Sequence, residues 1–120
     1  MKHIISALVQ NQPGVLAHVA QMFAARAFNI DSLAVGRTED PSLSRMTIVV
    51  IGDDKVVEQV RKQLAKMIRV VKVQDYVDKP LVARDLLMIQ VSTPIDKRHE
   101  IFTLVEMFKA KVVDIGNKSV

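Results

Sequence analysis

The chain has 120 residues, 49% of them hydrophobic, which is enough for one domain, or one small domain plus a fragment, and excludes a disordered chain. It has no cysteine, which excludes disulfides, thiolate nucleophiles and cysteine-held metals. The formal net charge is +4, but basic and acidic residues alternate along the chain, which fits a solvated surface better than the clustered footprint of a nucleic-acid binder.

His3 to Val9 is a short run rich in β-branched residues and predicts a strand; it breaks at Asn11-Gln12-Pro13-Gly14, a turn, so it is no signal-peptide core. Val15 to Arg26 follows helical spacing, with Leu16, Val19, Ala20, Phe23 and Ala27 on one face and His18, Gln21 and Arg26 nearer the other. Asn29 to Gly36 predicts a second strand, Thr38 to Ser42 a turn, and Arg45 to Ile51 a third strand. Gly52-Asp53-Asp54 stops that strand, and an aspartate there can cap the helix whose stripe is Val57, Val60, Leu64 and Met67. Val70 to Tyr76 predicts a fourth strand. The order strand, helix, strand, strand, helix, strand makes the fold class α+β, a ferredoxin-like βαββαβ sandwich with both helices on one face of an antiparallel sheet, over residues 1–77.

Residues 78–82 read as a linker. Residues 83–120 read as the β-α-β first half of a second α+β domain: a strand over Leu86 to Thr93, a helix over Asp96 to Ala110 with Ile101, Leu104, Val105 and Phe108 inward, and a strand from Lys111. Half a sandwich leaves an edge and a sheet face open, so this part is expected to be completed by more chain, by a partner or by another copy. No stretch reaches the roughly 20 apolar residues of a membrane span, and a cytoplasmic protein without membrane contact is the expectation.

Two places carry candidate binding chemistry. Asn11, Gln12, Pro13, Gly14, Val15 and Leu16 lie between a strand and a helix. Free N–H groups with partial positive charge gather at a helix start and suit a carboxylate; Gly14 lets backbone come close to a ligand, and Asn11 offers donor and acceptor. An ordinary capped turn has the same residues. Asn29 and Ile30, at the exit of the helix, offer a polar group beside an apolar one, or simply end the helix. For catalysis there is no pattern: His3, His18 and His99 lack metal-site spacing, no serine sits in a nucleophile elbow, and the turn holds no phosphate-binding lysine or arginine.

The combination is more specific than its parts. Asn11-Gln12-Pro13-Gly14-Val15-Leu16, Phe28-Asn29-Ile30-Asp31-Ser32-Leu33-Ala34-Val35-Gly36, Asp40-Pro41-Ser42-Leu43-Ser44-Arg45-Met46-Thr47-Ile48 and Arg84-Asp85-Leu86-Leu87-Met88-Ile89 together resemble the small subunits of acetohydroxyacid (acetolactate) synthase. The first two stretches resemble the broader class of ACT amino-acid-sensing domains. The resemblance implies a non-catalytic regulator that dimerises through its ACT domains and binds valine, or a related branched-chain amino acid, as a feedback signal. It implies that Asn11 to Leu16 hold the amino-acid head and that Asn29 and Ile30 come from the partner protomer. It further implies a large catalytic subunit as partner, which carries thiamine diphosphate, magnesium and FAD; no cofactor or metal is expected in this chain.

This sequence departs from the family pattern at Ala27, where glycine is common. Alanine in a left-handed helix cap costs roughly 1–2 kcal/mol; the other reading is a helix that runs on toward Asn29. It also stops before the strand, helix and strand that normally finish the second domain.

Three other readings compete. An ACT-type sensor for a different metabolic enzyme shares the turn. An RNA-recognition module shares the element order, but it stacks bases on aromatics of its central strands, and His3–Val9 and Arg45–Ile51 have none. An acylphosphatase-like enzyme would need an arginine in the first turn, which is absent.

Overall fold

The computed structural model describes residues 1–120, which divide into two compact units, Met1–Val82 and Ala83–Val120. The first unit runs β1 (Lys2–Gln10), α1 (Val15–Ala25), β2 (Ile30–Arg37), β3 (Leu43–Ile51), α2 (Asp54–Ala65) and β4 (Val70–Asp75). The four strands form one antiparallel sheet in the order β2-β3-β1-β4, so each β-α-β crossover spans one strand, as the element order predicts.

Period-2 alternation sets the register. β1 lies against β3 from Lys2 opposite Ile51 to Gln10 opposite Leu43. This puts Ile5 opposite Ile48, Ala7 opposite Met46 and His3 opposite Val50 on one buried face. Val15, Val19, Met22 and Phe23 of α1 and Val57, Val60 and Leu64 of α2 close over that face as one core. Each fully buried aliphatic or aromatic side chain of this kind contributes roughly 1.5–3 kcal/mol. Asp53 caps α2 by accepting the Val56 N–H at 3.0 Å. His3, buried near the start of β1, makes its one side-chain hydrogen bond through Nε2 to the Gly52 carbonyl at 3.1 Å, the position of a core residue.

The buried face of α1 differs from the expected one. Val15 and Met22 point into the core, whereas Leu16 and Ala20 are exposed. Both faces carry apolar residues four apart, and the orientation of the helix on the sheet, not the spacing, chooses between them. Both outer strands are open edges. β2 leaves Leu33 and Val35 40% and 45% exposed on its helix side. β4 carries a bulge in which Leu8 faces Lys72 and Val9 faces Val70, leaving Val71 unpaired.

The second unit corrects several expectations. Its helix, α3, spans only Arg98–Met107, preceded by a 3₁₀ turn at Ile95–Lys97. Ile101 and Val105 are half-buried, but Leu104 and Phe108 are exposed rather than inward. The strands expected over Leu86–Thr93 and from Lys111 are reduced to a single antiparallel bridge between Ser92 and Ser119. Around it Val91 and Val120 exchange hydrogen bonds at 2.8 and 3.0 Å, and the Thr93 N–H donates to Lys118. A strand exists only where a neighbour takes its N–H and C=O groups, and the apolar run Leu86 to Ile89 has no such neighbour.

Candidate functional site

At the end of β1 the chain is anchored to the β2–β3 turn. The Asn11 N–H donates to the Ser42 carbonyl at 2.7 Å, and its Nδ2 donates to the Pro41 carbonyl at 3.0 Å. The Asp40 carboxylate fixes that turn by accepting from the Ser42 hydroxyl at 2.7 Å and the Ser42 N–H at 2.9 Å. These two bonds, the hydroxyl first, hold the Asp40 carboxyl below its ordinary range. The Asn11 amide is thus committed to structure through its donor, which leaves its oxygen for other partners.

Gln12-Pro13-Gly14-Val15 closes with the Val15 N–H at 3.4 Å from the Gln12 carbonyl. Gly14 has φ 83° and ψ −7°. The locked φ of Pro13 rules out a primed turn, so this is type II, whose third position requires glycine. The Gly14 carbonyl takes the His18 N–H at 3.0 Å and so begins α1. No side chain caps this helix start, and the N–H groups of Gly14, Leu16 and Ala17 donate to no protein acceptor. A Cβ placed on Gly14 would meet nothing within 4 Å. Open space, free N–H groups and the positive end of the helix dipole are the chemistry that suits a small anion.

α1 ends in a Schellman motif. The Phe28 N–H bonds to the Phe23 carbonyl at 3.0 Å and the Ala27 N–H to the Ala24 carbonyl at 3.1 Å. Ala27 takes the left-handed position at φ 54°. Of the two readings open in the sequence, the helix stops and alanine bears the left-handed conformation; it does not run on to Asn29.

The candidate residues therefore fall in two places. Asn11, Gln12, Pro13, Gly14 and Leu16 are exposed around the turn, while the Val15 side chain is 3% exposed and lies in the core, so only its backbone is available. Asn29 (exposed) and Ile30 (half-buried) sit at the far end of the 11-residue helix. A helix of that length separates its ends by roughly 16 Å, so a single chain does not bring the two sets together. One residue absent from the sequence-level set stands at the turn: the Arg69 guanidinium donates to the Pro13 carbonyl at 3.1 Å from 56 positions away, and no local pattern announces it. No group of three or more His, Asp or Glu residues is placed so that it could hold a metal ion.

The family of AHAS small subunit-like ACT domains matches residues 5–72, and the family described as the small subunit of acetolactate synthase matches residues 84–120. The probable acetolactate synthase small subunit of Archaeoglobus fulgidus is 55% identical over 119 residues, covering 99% of this chain and 74% of that protein. The chain belongs to the acetolactate synthase small-subunit family. The acetolactate synthase small subunit of Aquifex aeolicus is 49% identical over 96% of this chain, which spans 60% of that relative. The crystal structure of the acetolactate synthase small subunit from Thermotoga maritima superposes with a TM-score of 0.81 at 39% identity, over 99% of this chain and 74% of that one. The ferredoxin-like fold and the family expected from the motifs are both borne out. No helix of the chain is long and apolar enough to cross a membrane.

Proposed function

We propose that this chain is a non-catalytic regulatory subunit that binds valine, or a related branched-chain amino acid, between two copies of its first unit and so controls a large catalytic acetolactate synthase subunit. The single observation that carries this reading is the turn at Gly14, with open space before an uncapped helix start, in a chain of this family. An amino-acid carboxylate takes the free N–H groups, its ammonium takes oxygen acceptors such as that of Asn11, and its small side chain takes an apolar wall. Burying so small a side chain is worth about 1.5–3 kcal/mol, so discrimination among branched-chain amino acids is modest.

The distance between Asn29–Ile30 and the turn supports a site built from two protomers. β2 is an open edge, and it runs from Ile30 to Arg37. A two-fold pairing along this edge is antiparallel, so the partner's Ile30 end falls beside this chain's Arg37 end. That end also carries the β2–β3 turn to which Asn11 is bonded. Homodimerisation through the edge thereby places the second set of residues next to the first. Thiamine diphosphate, magnesium and FAD belong in this reading to the large subunit, as does the cytoplasmic carbon–carbon bond chemistry they support.

The test is reconstitution. The chain is added to a purified acetolactate synthase large subunit, and acetolactate formation is followed with and without valine. A rise in rate on addition, reversed by valine, supports the proposal. A folded chain that changes neither the rate nor its valine sensitivity refutes it.

A further inference from the structure

A type II turn and a type I turn differ by a flip of the central peptide plane. In the Gln12–Val15 turn that plane is Pro13–Gly14, and glycine makes both states accessible, since its φ can take either sign. In a trans peptide the C=O and N–H point opposite ways. The direction of the Pro13 carbonyl therefore fixes the direction of the Gly14 N–H.

We infer that Arg69 selects the flip state: by donating from its guanidinium to the Pro13 carbonyl, it turns the Gly14 N–H outward to receive the amino-acid carboxylate, which makes Arg69 a positioning residue of the effector site. Three observations bear on this. The bond is 3.1 Å long and comes from a residue whose backbone is anchored to the end of β1, just before the loop, since the Arg69 carbonyl accepts the Gln10 N–H at 2.9 Å. Gly14 sits at φ 83°, the type II value, where a type I turn would have φ near −90°. The Gly14 N–H has no protein acceptor. In the flipped state the Pro13 carbonyl would occupy the direction of that N–H and repel a carboxylate. The α2–β4 corner thus holds the turn in one of its two states.

This inference rests on the effector reading above, and the experiment separates the two. The 120-residue chain, Arg69→Ala and Arg69→Lys are compared by amide NMR without ligand and by calorimetric titration with valine, with thermal melts to check folding. Arg69 is exposed, so all three are expected to melt alike. A type II turn places the Pro13 Hα close to the Gly14 amide proton and gives a strong cross-relaxation signal; a type I turn gives a weak one. Arg69→Ala is expected to weaken that signal and to lower valine affinity about tenfold or more, the scale of one hydrogen bond from a charged donor. Arg69→Lys, which can still donate to the carbonyl, is expected to recover most of both. A strong signal and full affinity in Arg69→Ala overturn the inference, and so does a flipped turn that binds valine at full affinity. If the parent chain binds no valine while the signal still depends on Arg69, the effector reading falls and the hold of Arg69 on the turn stands.

Discussion

The Phe28 ring stands edge-on to Phe23 at a centroid distance of 6.4 Å, across a helix end whose reversal is taken by Ala27. The ring contact joins the two positions that a Schellman motif brings together, and it helps to hold alanine at φ 54°. Left-handed backbone crowds the alanine Cβ and costs roughly 1–2 kcal/mol. Ala27→Gly is therefore expected to stabilise the chain by about 1 kcal/mol, once the greater freedom of glycine in the unfolded chain is offset. Urea denaturation measures it, and a loss of stability would show that the cap is not strained.

Asp40 sets the pH behaviour of the loop beside the candidate site. Its carboxyl lies below the ordinary range because the Ser42 hydroxyl and N–H favour the charged form. A lowered native value means that the stabilisation is complete above the unfolded aspartate value, about 3.9, and is lost as pH falls through the lower native value. At neutral pH the turn is fully held. Ser42→Ala is expected to move the Asp40 midpoint back up toward the ordinary value, read by carboxyl NMR during an acid titration. An unmoved midpoint would mean that the hydroxyl bond is absent in solution.

The β2 edge offers Leu33 and Val35 half-exposed on the helix side. A charge at such a place blocks strand-to-strand pairing. Val35→Lys is expected to leave the fold intact and shift the chain to a monomer in sedimentation equilibrium. Valine binding should go with the dimer if the site is shared between protomers. A variant that remains dimeric would place the interface elsewhere.

Gly14 is a poor place for a control substitution, because any side chain there meets backbone strain at φ 83° even though the space around it is open. Leu16 is better: it is 45% exposed in the first turn of α1, outside the core cluster. Leu16→Asp should change stability by no more than about 0.5 kcal/mol while placing a negative charge where a carboxylate is to bind. Thermal melts together with a valine titration check both halves of that expectation.

The sequence made the first unit legible because its strands and helices carry strong period-2 and helical patterns, and because Asp53 and Gly14 mark helix starts by local chemistry. The inward face of α1 was not legible, since Val15–Met22 and Leu16–Ala20 are both apolar and only the sheet beneath decides between them. Arg69 was not legible for a different reason: its meeting with Pro13 is made by the α2–β4 corner, and no spacing encodes it. In the second unit, the apolar run that opens Leu86 to Thr93 reads as a strand, but pattern states only that a segment suits a sheet. It does not supply the neighbour, and the structure pairs that segment only near Ser92.

The central claim, that the turn between β1 and α1 receives a branched-chain amino acid, is tested most directly by calorimetric titration of the 120-residue chain with valine, with Leu16→Asp alongside. The account predicts saturable binding of one valine per chain by the parent and none by a folded Leu16→Asp. No binding by a folded, dimeric parent, or equal binding by both proteins, would contradict it.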